Sequence, residues 1–184
     1  MKKVFFKQYI KNPKLTGSVI PSSSHLSKAF IKNMDLNSGT ILEVGAGTGT
    51  ITEHVYNKME NKSKLISFEI QEEFCNDLRK RFPESTFINK DICDIYDILD
   101  LKTIKDIKYI LSTVPLLSLG KKKSLEIIET YKKIMLQTGA TYLQLTYTPF
   151  SPFKYKNFDM TCKRIETVWR NFPPGNILKY KIIK

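Results

Sequence analysis

Acidic residues are few in this chain: 18 Asp and Glu stand against 30 Lys and Arg in 184 residues, a net charge of +12. Such an excess favours a polyanionic partner, either nucleic acid or an acidic membrane surface. A solvated basic face and a compositional preference for lysine are the plainer accounts of the same number. Cysteine is also scarce. Cys75, Cys93 and Cys162 are odd in number and lack metal-ligand spacing, which argues against a disulfide framework and a zinc site and fits a reducing cytoplasm. His25 and His54 have no metal-ligand companions in the sequence, so both are expected to be structural or exposed, and the single tryptophan, Trp169, is expected in the core. No apolar run approaches the roughly 18 residues of a membrane span, and the apolar centre of "MKKVFFKQYIKNPK" is too short for a secretory signal. Internal repeats and low-complexity tracts are lacking too. Any membrane contact is therefore expected to be peripheral, and a chain of this length suits one domain with one well-buried core.

What is present is an alternation of strand-like and helix-like runs, the pattern of a mostly parallel α/β sheet covered on both faces. Strands are expected at residues 40–44 (TILEV), 64–69, 86–90, 107–114 and 141–147, and two closing strands at 162–169 and 176–183. Helices are expected at 48–59, at 71–82 with acids in its first turn and bases in its last, and at 121–136 with Leu125, Ile128, Ile134 and Met135 on an apolar stripe. "TPFSPF" reads as a proline-broken loop, and "RNFPPG" as the turn between the closing strands.

"ILEVGAGTGTIT" carries glycines at 45, 47 and 49 between a strand and a helix. Such a turn lets backbone approach a ligand closely and aims N–H groups at it. Its G-x-G-x-G spacing is not the G-x-G-x-x-G of a pyrophosphate site, and no G-K-[ST] follows for a nucleoside triphosphate. Glu69 ends the second strand, where a carboxylate accepts hydrogen bonds from ribose hydroxyls, and Asp91 follows the third strand, placed to meet an adenine amino group. Each carboxylate alone is equally compatible with a solvated surface acid. Together the three pieces resemble the S-adenosylmethionine site of the class I, Rossmann-like methyltransferases. That resemblance implies a cofactor set of Glu43, Gly45, Gly47, Gly49, Glu69, Ile70, Asp91, Ile92 and Ser112, with S-adenosylhomocysteine as product and no metal.

The acceptor end differs from the amino-group methyltransferases of nucleobases, whose fourth strand ends in a tetrapeptide such as N-P-P-Y with a ring that stacks on the flipped base. Here "LSTVPLLSL" keeps Pro115 but has Thr113 at the polar position and Leu116 at the ring position, which disfavours nucleic acid. Five stretches, "FFKQYIKNPKLTGSVIPSSSHLSKAF", "LEVGAGTGTIT", "STVPLLSL", "QLTYTPFSP" and "VWRNFPPGNI", resemble the soluble-type bacterial phospholipid N-methyltransferases, which convert phosphatidylethanolamine towards phosphatidylcholine. Thr113, where these enzymes often carry glycine, and Gly175, where alanine is usual, are departures. Main-chain carbonyls around Thr113 to Pro115 are the candidates to orient the amine, and Tyr147, whose aromatic face attracts a methylated ammonium, is the candidate to meet the headgroup. The resemblance implies that the loop of Ser22 and Ser23 covers the cofactor. Arg170 and Lys163 are candidates for the lipid phosphate. A helix cap among Ser22 to Ser24, strand packing of Tyr147 and plain solvation of the cations are the structural alternatives.

The N-terminus fits that resemblance. On a helix Phe5, Phe6, Tyr9 and Ile10 share an arc of roughly 140°, with Lys3, Lys7 and Lys11 on a neighbouring face, an interfacial pattern that also suits a helix docked on its own domain. The expected organisation is one domain over 1–184, with residues 1–34 as a helical membrane and substrate cap on a core of 35–184. A monomer on the inner face of the cell membrane is expected. An rRNA adenine methyltransferase and a non-catalytic basic binding module remain the alternatives, the first because a phosphate backbone suits the charge equally well.

Overall fold

A computed structural model describes residues 19–170 and 173–183, with side chains from Ser24 onward. Lys3, Phe5, Phe6, Lys7, Tyr9, Ile10 and Lys11 lie outside the described residues, as do the side chains of Ser22 and Ser23. Seven strands, β1 (Thr40–Val44), β2 (Leu65–Phe68), β3 (Thr86–Ile88), β4 (Ile107–Ser112), β5 (Thr141–Thr146), β6 (Met160–Val168) and β7 (Gly175–Ile182), form one sheet in the order β3-β2-β1-β4-β5-β7-β6. β1 to β5 are parallel, and β7 lies antiparallel between β5 and β6. The helices are α1 (Val19–Ile31), α2 (Thr50–Lys58), α3 (Glu72–Arg81), α4 (Ile95–Ile98), α5 (Leu101–Lys105) and α6 (Lys121–Thr138).

Both faces of the sheet are buried, because successive strand residues point to opposite sides and each side meets helices. Leu42, Ile110 and Tyr142 face α6, where Ile127, Ile128, Tyr131 and Ile134 pack against them. Ile41, Leu111 and Leu143 face the other way, onto Phe30 of α1 and Val55 of α2. Each fully buried aliphatic side chain here contributes about 1.5–3 kcal/mol relative to exposure. Helix α1 thus shares a core with β1 and α2, although its residues fall within the N-terminal segment expected to act as a cap.

The expected strands match the sheet, but all except the first end one or two residues earlier than the apolar pattern suggests. Glu69, Lys90, Thr113 and Tyr147 all lie one or two residues past the last paired residue of their strands. These strand ends become the walls of a cavity, because β1 and β4 lie side by side while the chain leaves them towards opposite halves of the sheet, the switch point of an open α/β fold.

Three readings of the sequence fail locally, and two short helices come in addition. Trp169 is 78 % exposed, because it follows the last paired residue of β6 into the turn. Leu125 is 38 % exposed, since the buried stripe of α6 starts at Ile127. Ser22 to Ser24 lie inside α1, whose first residue is Val19, so none of them is its N-cap. The short helices α4 and α5 were not signalled by periodicity. Asp100 caps the latter by accepting the Thr103 N–H at 2.9 Å.

Candidate active site

A cavity of about 500 Å³ opens at the C-terminal ends of β1, β2 and β4. Of the residues singled out from sequence, it brings together Gly45, Gly47, Glu69, Ile70, Asp91, Ile92, Thr113, Pro115 and Tyr147. The glycine turn is built for close approach. Gly49 has φ 81°, and a Cβ there would stand 2.5 Å from Leu78 Cδ2, so the start of α2 is pressed onto α3. Gly47, at φ 54°, has nothing within 4 Å of where its Cβ would be and leaves its backbone open to the cavity.

Glu69 holds this turn. Its carboxylate is buried and accepts the Gly47 N–H at 2.8 Å and the Gln71 N–H at 2.9 Å, one on each oxygen. Both oxygens are thereby oriented, and each keeps acceptor capacity for a ligand hydroxyl. Asn89 donates its side-chain amide to the Glu69 carbonyl at 2.9 Å and fixes the same bend from the β3 side.

Asp91, also in the cavity wall, is engaged by neighbours of its own. Its Oδ1 accepts the Cys93 N–H at 2.9 Å, and its Oδ2 pairs with Lys123 Nζ at 2.8 Å. Partial burial opposes ionisation of Asp91, but Lys123 and the Cys93 N–H outweigh it and hold the carboxyl below its ordinary range. Lys123 is itself part of the cavity wall, lifted above the ordinary lysine range by Asp91 and Glu126 against the effect of its burial. Ile70 projects from the end of β2 and is largely exposed, whereas Ile92 is buried at the cavity floor.

Glu43 and Ser112 stand behind the cavity and are not part of its wall. Glu43 Oε2 accepts the Thr52 hydroxyl at 2.8 Å, while Oε1 has no hydrogen-bond partner, and burial pushes this carboxyl up to about 7. It is the anchor between β1 and α2. Ser112 Oγ accepts the Tyr131 hydroxyl at 3.2 Å and the Val114 N–H at 3.3 Å, so it shapes the turn that follows β4.

That turn is the acceptor side. The Thr113 hydroxyl donates to the Gly45 carbonyl and joins it to the glycine turn. Gln144, fully buried on β5, donates Nε2 to the Val114 carbonyl at 3.0 Å and accepts the Tyr142 hydroxyl. Leu116 is buried in the core cluster beside α6. Arg170 lies apart from the cavity wall and donates to His25 Nε2 at 3.1 Å, and Lys163 lies on β6, opposite Lys179. His54 is held by the Thr50 carbonyl at 3.0 Å. Among the described residues no His, Cys, Asp and Glu group is arranged to hold a metal ion. Sequence reasoning missed Lys123, Leu26, Phe74 and Gln144. Lys123 sits in a lysine triplet that reads as a solvated helix start, and Gln144 in a strand motif that carries no sign of its partner.

The pattern of the family described as ribosomal RNA adenine dimethylase matches residues 1–131. The chain belongs to that family. It is similar to an ornithine lipid N-methyltransferase from Singulisphaera acidiphila, 27 % identical over 94 % of this chain and 91 % of the relative. It is also similar to a ribosomal RNA small subunit methyltransferase A from a Hydrogenobaculum species, 28 % identical over 45 % of this chain and 32 % of the relative. Among solved structures, an S-adenosylmethionine-dependent methyltransferase from Aquifex aeolicus shares the fold, with TM-score 0.67 and 15 % identity over 96 % of this chain and 98 % of that one. The protein is a class I methyltransferase that uses S-adenosylmethionine, and the open glycine turn beside the buried Glu69 carboxylate fits that cofactor.

Proposed function

We propose that the methyl acceptor is the primary amine of a membrane-lipid headgroup, that of phosphatidylethanolamine and its methylated derivatives, in a pathway towards phosphatidylcholine. The observation that carries this reading is the turn after β4. Where a nucleobase enzyme offers a stacking ring, Leu116 is buried in the core instead. The likeness to a lipid N-methyltransferase over nearly the whole chain supports it, whereas the likeness to the rRNA enzyme covers less than half. An ornithine lipid offers the same primary amine and is the nearest competing acceptor. The enzyme is taken to act as a single-domain monomer at the inner face of the cell membrane, with the lysines and aromatic residues of segment 3–11 and Ser22, Ser23 and Arg170 on the lipid side.

In this reading Glu69 accepts the ribose hydroxyls, and Ile70 and Ile92 flank the adenine. Asp91, braced by Lys123, stands near the adenine edge, while Glu43, Gly49 and Ser112 act through the turns they build. S-adenosylmethionine supplies an activated methyl group, so this chain's task is chiefly alignment. The backbone from Thr113 to Pro115, held in place by Gln144 and the Leu116 N–H on the Val114 carbonyl, orients the neutral amine. Tyr147 offers a ring face that attracts the methylated ammonium product.

The family match favours one other acceptor, an adenine of ribosomal RNA. Labelled methyl transfer to vesicles containing phosphatidylethanolamine, to vesicles containing ornithine lipid and to ribosomal RNA separates the three. Label in phosphatidylethanolamine is expected; label in RNA alone reverses the proposal.

A further inference from the structure

The loops that leave β4, β5 and β6 share features that catalysis does not use. Residues 113–123, 147–154 and 169–174 contain Lys121, Lys122, Lys123, Lys154 and Arg170 and no Asp or Glu. They also hold large apolar side chains out to solvent: Leu117 is 59 % exposed, Phe150 77 % and Trp169 78 %. Strand register puts these loops on one edge. Thr146, the end of β5, pairs with Asn176, and Val168, the end of β6, pairs with Gly175. Asn176 donates to the Thr148 carbonyl at 3.2 Å, and Thr148 to the Phe150 carbonyl at 2.9 Å, which ties the Phe150 loop to that edge. The cavity opens there too, since Leu119, Lys123 and Tyr147 belong to its wall. At the opposite ends of the strands, residues 35–39, 59–64 and 99–106 carry Asp35, Glu60, Asp100 and Asp106.

Resting on the proposed lipid acceptor, we infer that this acid-free edge is a docking face for an anionic bilayer, with Leu117, Phe150 and Trp169 entering the headgroup boundary beside Lys121 and Lys122. An RNA backbone engages cations but gains little from an exposed leucine. A bilayer interface uses both, aliphatic and aromatic groups at the acyl boundary and lysines against anionic headgroups. Docked this way, the cavity mouth faces the headgroup layer, and an amine reaches the turn after β4 without its lipid leaving the membrane. The residues named for this face do not include any of segment 3–11.

Trp169 is the chain's one tryptophan, so its emission reports this edge directly. With the full chain, phosphatidylglycerol vesicles carrying brominated acyl chains should quench Trp169, and neutral phosphatidylcholine vesicles should quench it far less. Leu117→Ser with Phe150→Ser, both at exposed positions, should weaken vesicle affinity about tenfold or more. The same pair should slow methyl transfer to vesicle-borne lipid while leaving transfer to a monomeric short-chain lipid of the same headgroup unchanged. Vesicle binding without bromine quenching of Trp169 overturns the docking face, as does a Trp169 response to ribosomal RNA but not to vesicles. Quenching with no transfer to any lipid amine leaves the face standing and overturns the acceptor instead.

Discussion

From β1 to β3 the strand ends carry the carboxylates Glu69 and Asp91, whereas residues 113–123, 147–154 and 169–174, which leave the ends of β4, β5 and β6, contain no Asp or Glu. In the first half the protein orients both carboxylates, Glu69 by two backbone N–H groups and Asp91 by Cys93 and Lys123. The second half holds its turn with neutral groups instead, Gln144 on the Val114 carbonyl and Tyr131 on Ser112. The difference follows the ligands each half is proposed to meet. Ribose and adenine present hydrogen-bond donors, which oriented acceptors hold well. A lipid headgroup presents a phosphate, and its methylated amine leaves as a cation; an acid-free wall neither repels the first nor traps the second.

The two halves can be broken separately, and the largest effect is expected at the turn that founds the first. Valine at Gly49 puts a β-branched residue at φ 81° and drives its Cβ into Leu78, for a loss of about 4 kcal/mol in urea unfolding. Loss of cofactor binding should accompany it. A valine there that leaves stability intact means that α3 yields easily and that the turn is not rigid.

Next in size is the pH dependence of Glu43. Its folded carboxyl titrates near 7, raised by burial, and in the unfolded chain it titrates in the ordinary range. Below the ordinary range both states hold the proton, and the stabilisation of the protonated buried form is fully present. It is lost as pH rises through 7, because ionisation must then occur in a buried site. Stability should therefore fall by about 3 kcal/mol between about pH 5 and about pH 8, and Glu43→Gln should flatten that slope. Asp91, whose carboxyl is held low, has the opposite sign: its contribution is lost only as pH falls through its depressed range. A wild-type profile that is flat across neutrality contradicts the Glu43 assignment.

Much of this arrangement was legible in the sequence, and the parts that were not share a cause. The run Thr40 to Val44 followed by Gly45 signals a strand entering a tight turn, and Glu69 follows from its place at the next strand end. Leu116 was legible as a missing ring. The Asp91–Lys123 pair was not, because an ion pair between a loop and the first turn of a distant helix leaves no spacing in the sequence. The hold of Gln144 on Val114 was hidden for the same reason. Trp169 was misread because bulk and rarity suggest a core residue, while its exposure depends on where β6 stops pairing with β7. Local chemistry shows in a sequence; which loop meets which is decided by sheet order.

Within the first half, Glu69→Ala removes a carboxylate that serves the turn and is proposed to serve the ribose. Charged hydrogen bonds of this kind contribute roughly 1.5–3 kcal/mol, so calorimetry should find S-adenosylhomocysteine bound about thirtyfold more weakly. Glu69→Gln keeps the shape but offers one acceptor oxygen, so one of the two N–H groups now faces an amide NH₂. Its loss should be intermediate. Unchanged affinity in both variants places the ribose elsewhere.

The smallest effect is expected where the halves meet. The Thr113 hydroxyl donates to the Gly45 carbonyl, a hydrogen bond from the acceptor turn to the cofactor turn, and the Thr113 N–H bonds to the Val44 carbonyl at 3.1 Å. Valine at 113 keeps the side-chain shape and the backbone bond but removes the hydroxyl, which should lower stability by about 1 kcal/mol. If the halves act independently, cofactor affinity stays as it was and the change appears in the KM for the lipid amine, because the acceptor turn alone is loosened. If cofactor affinity falls as far as the acceptor KM rises, the hydroxyl couples the two ligands, and each should then tighten the other by the same factor in wild type and not in the variant. Titrating S-adenosylhomocysteine with and without a short-chain phosphatidylethanolamine, in wild type and Thr113→Val, reads that factor directly.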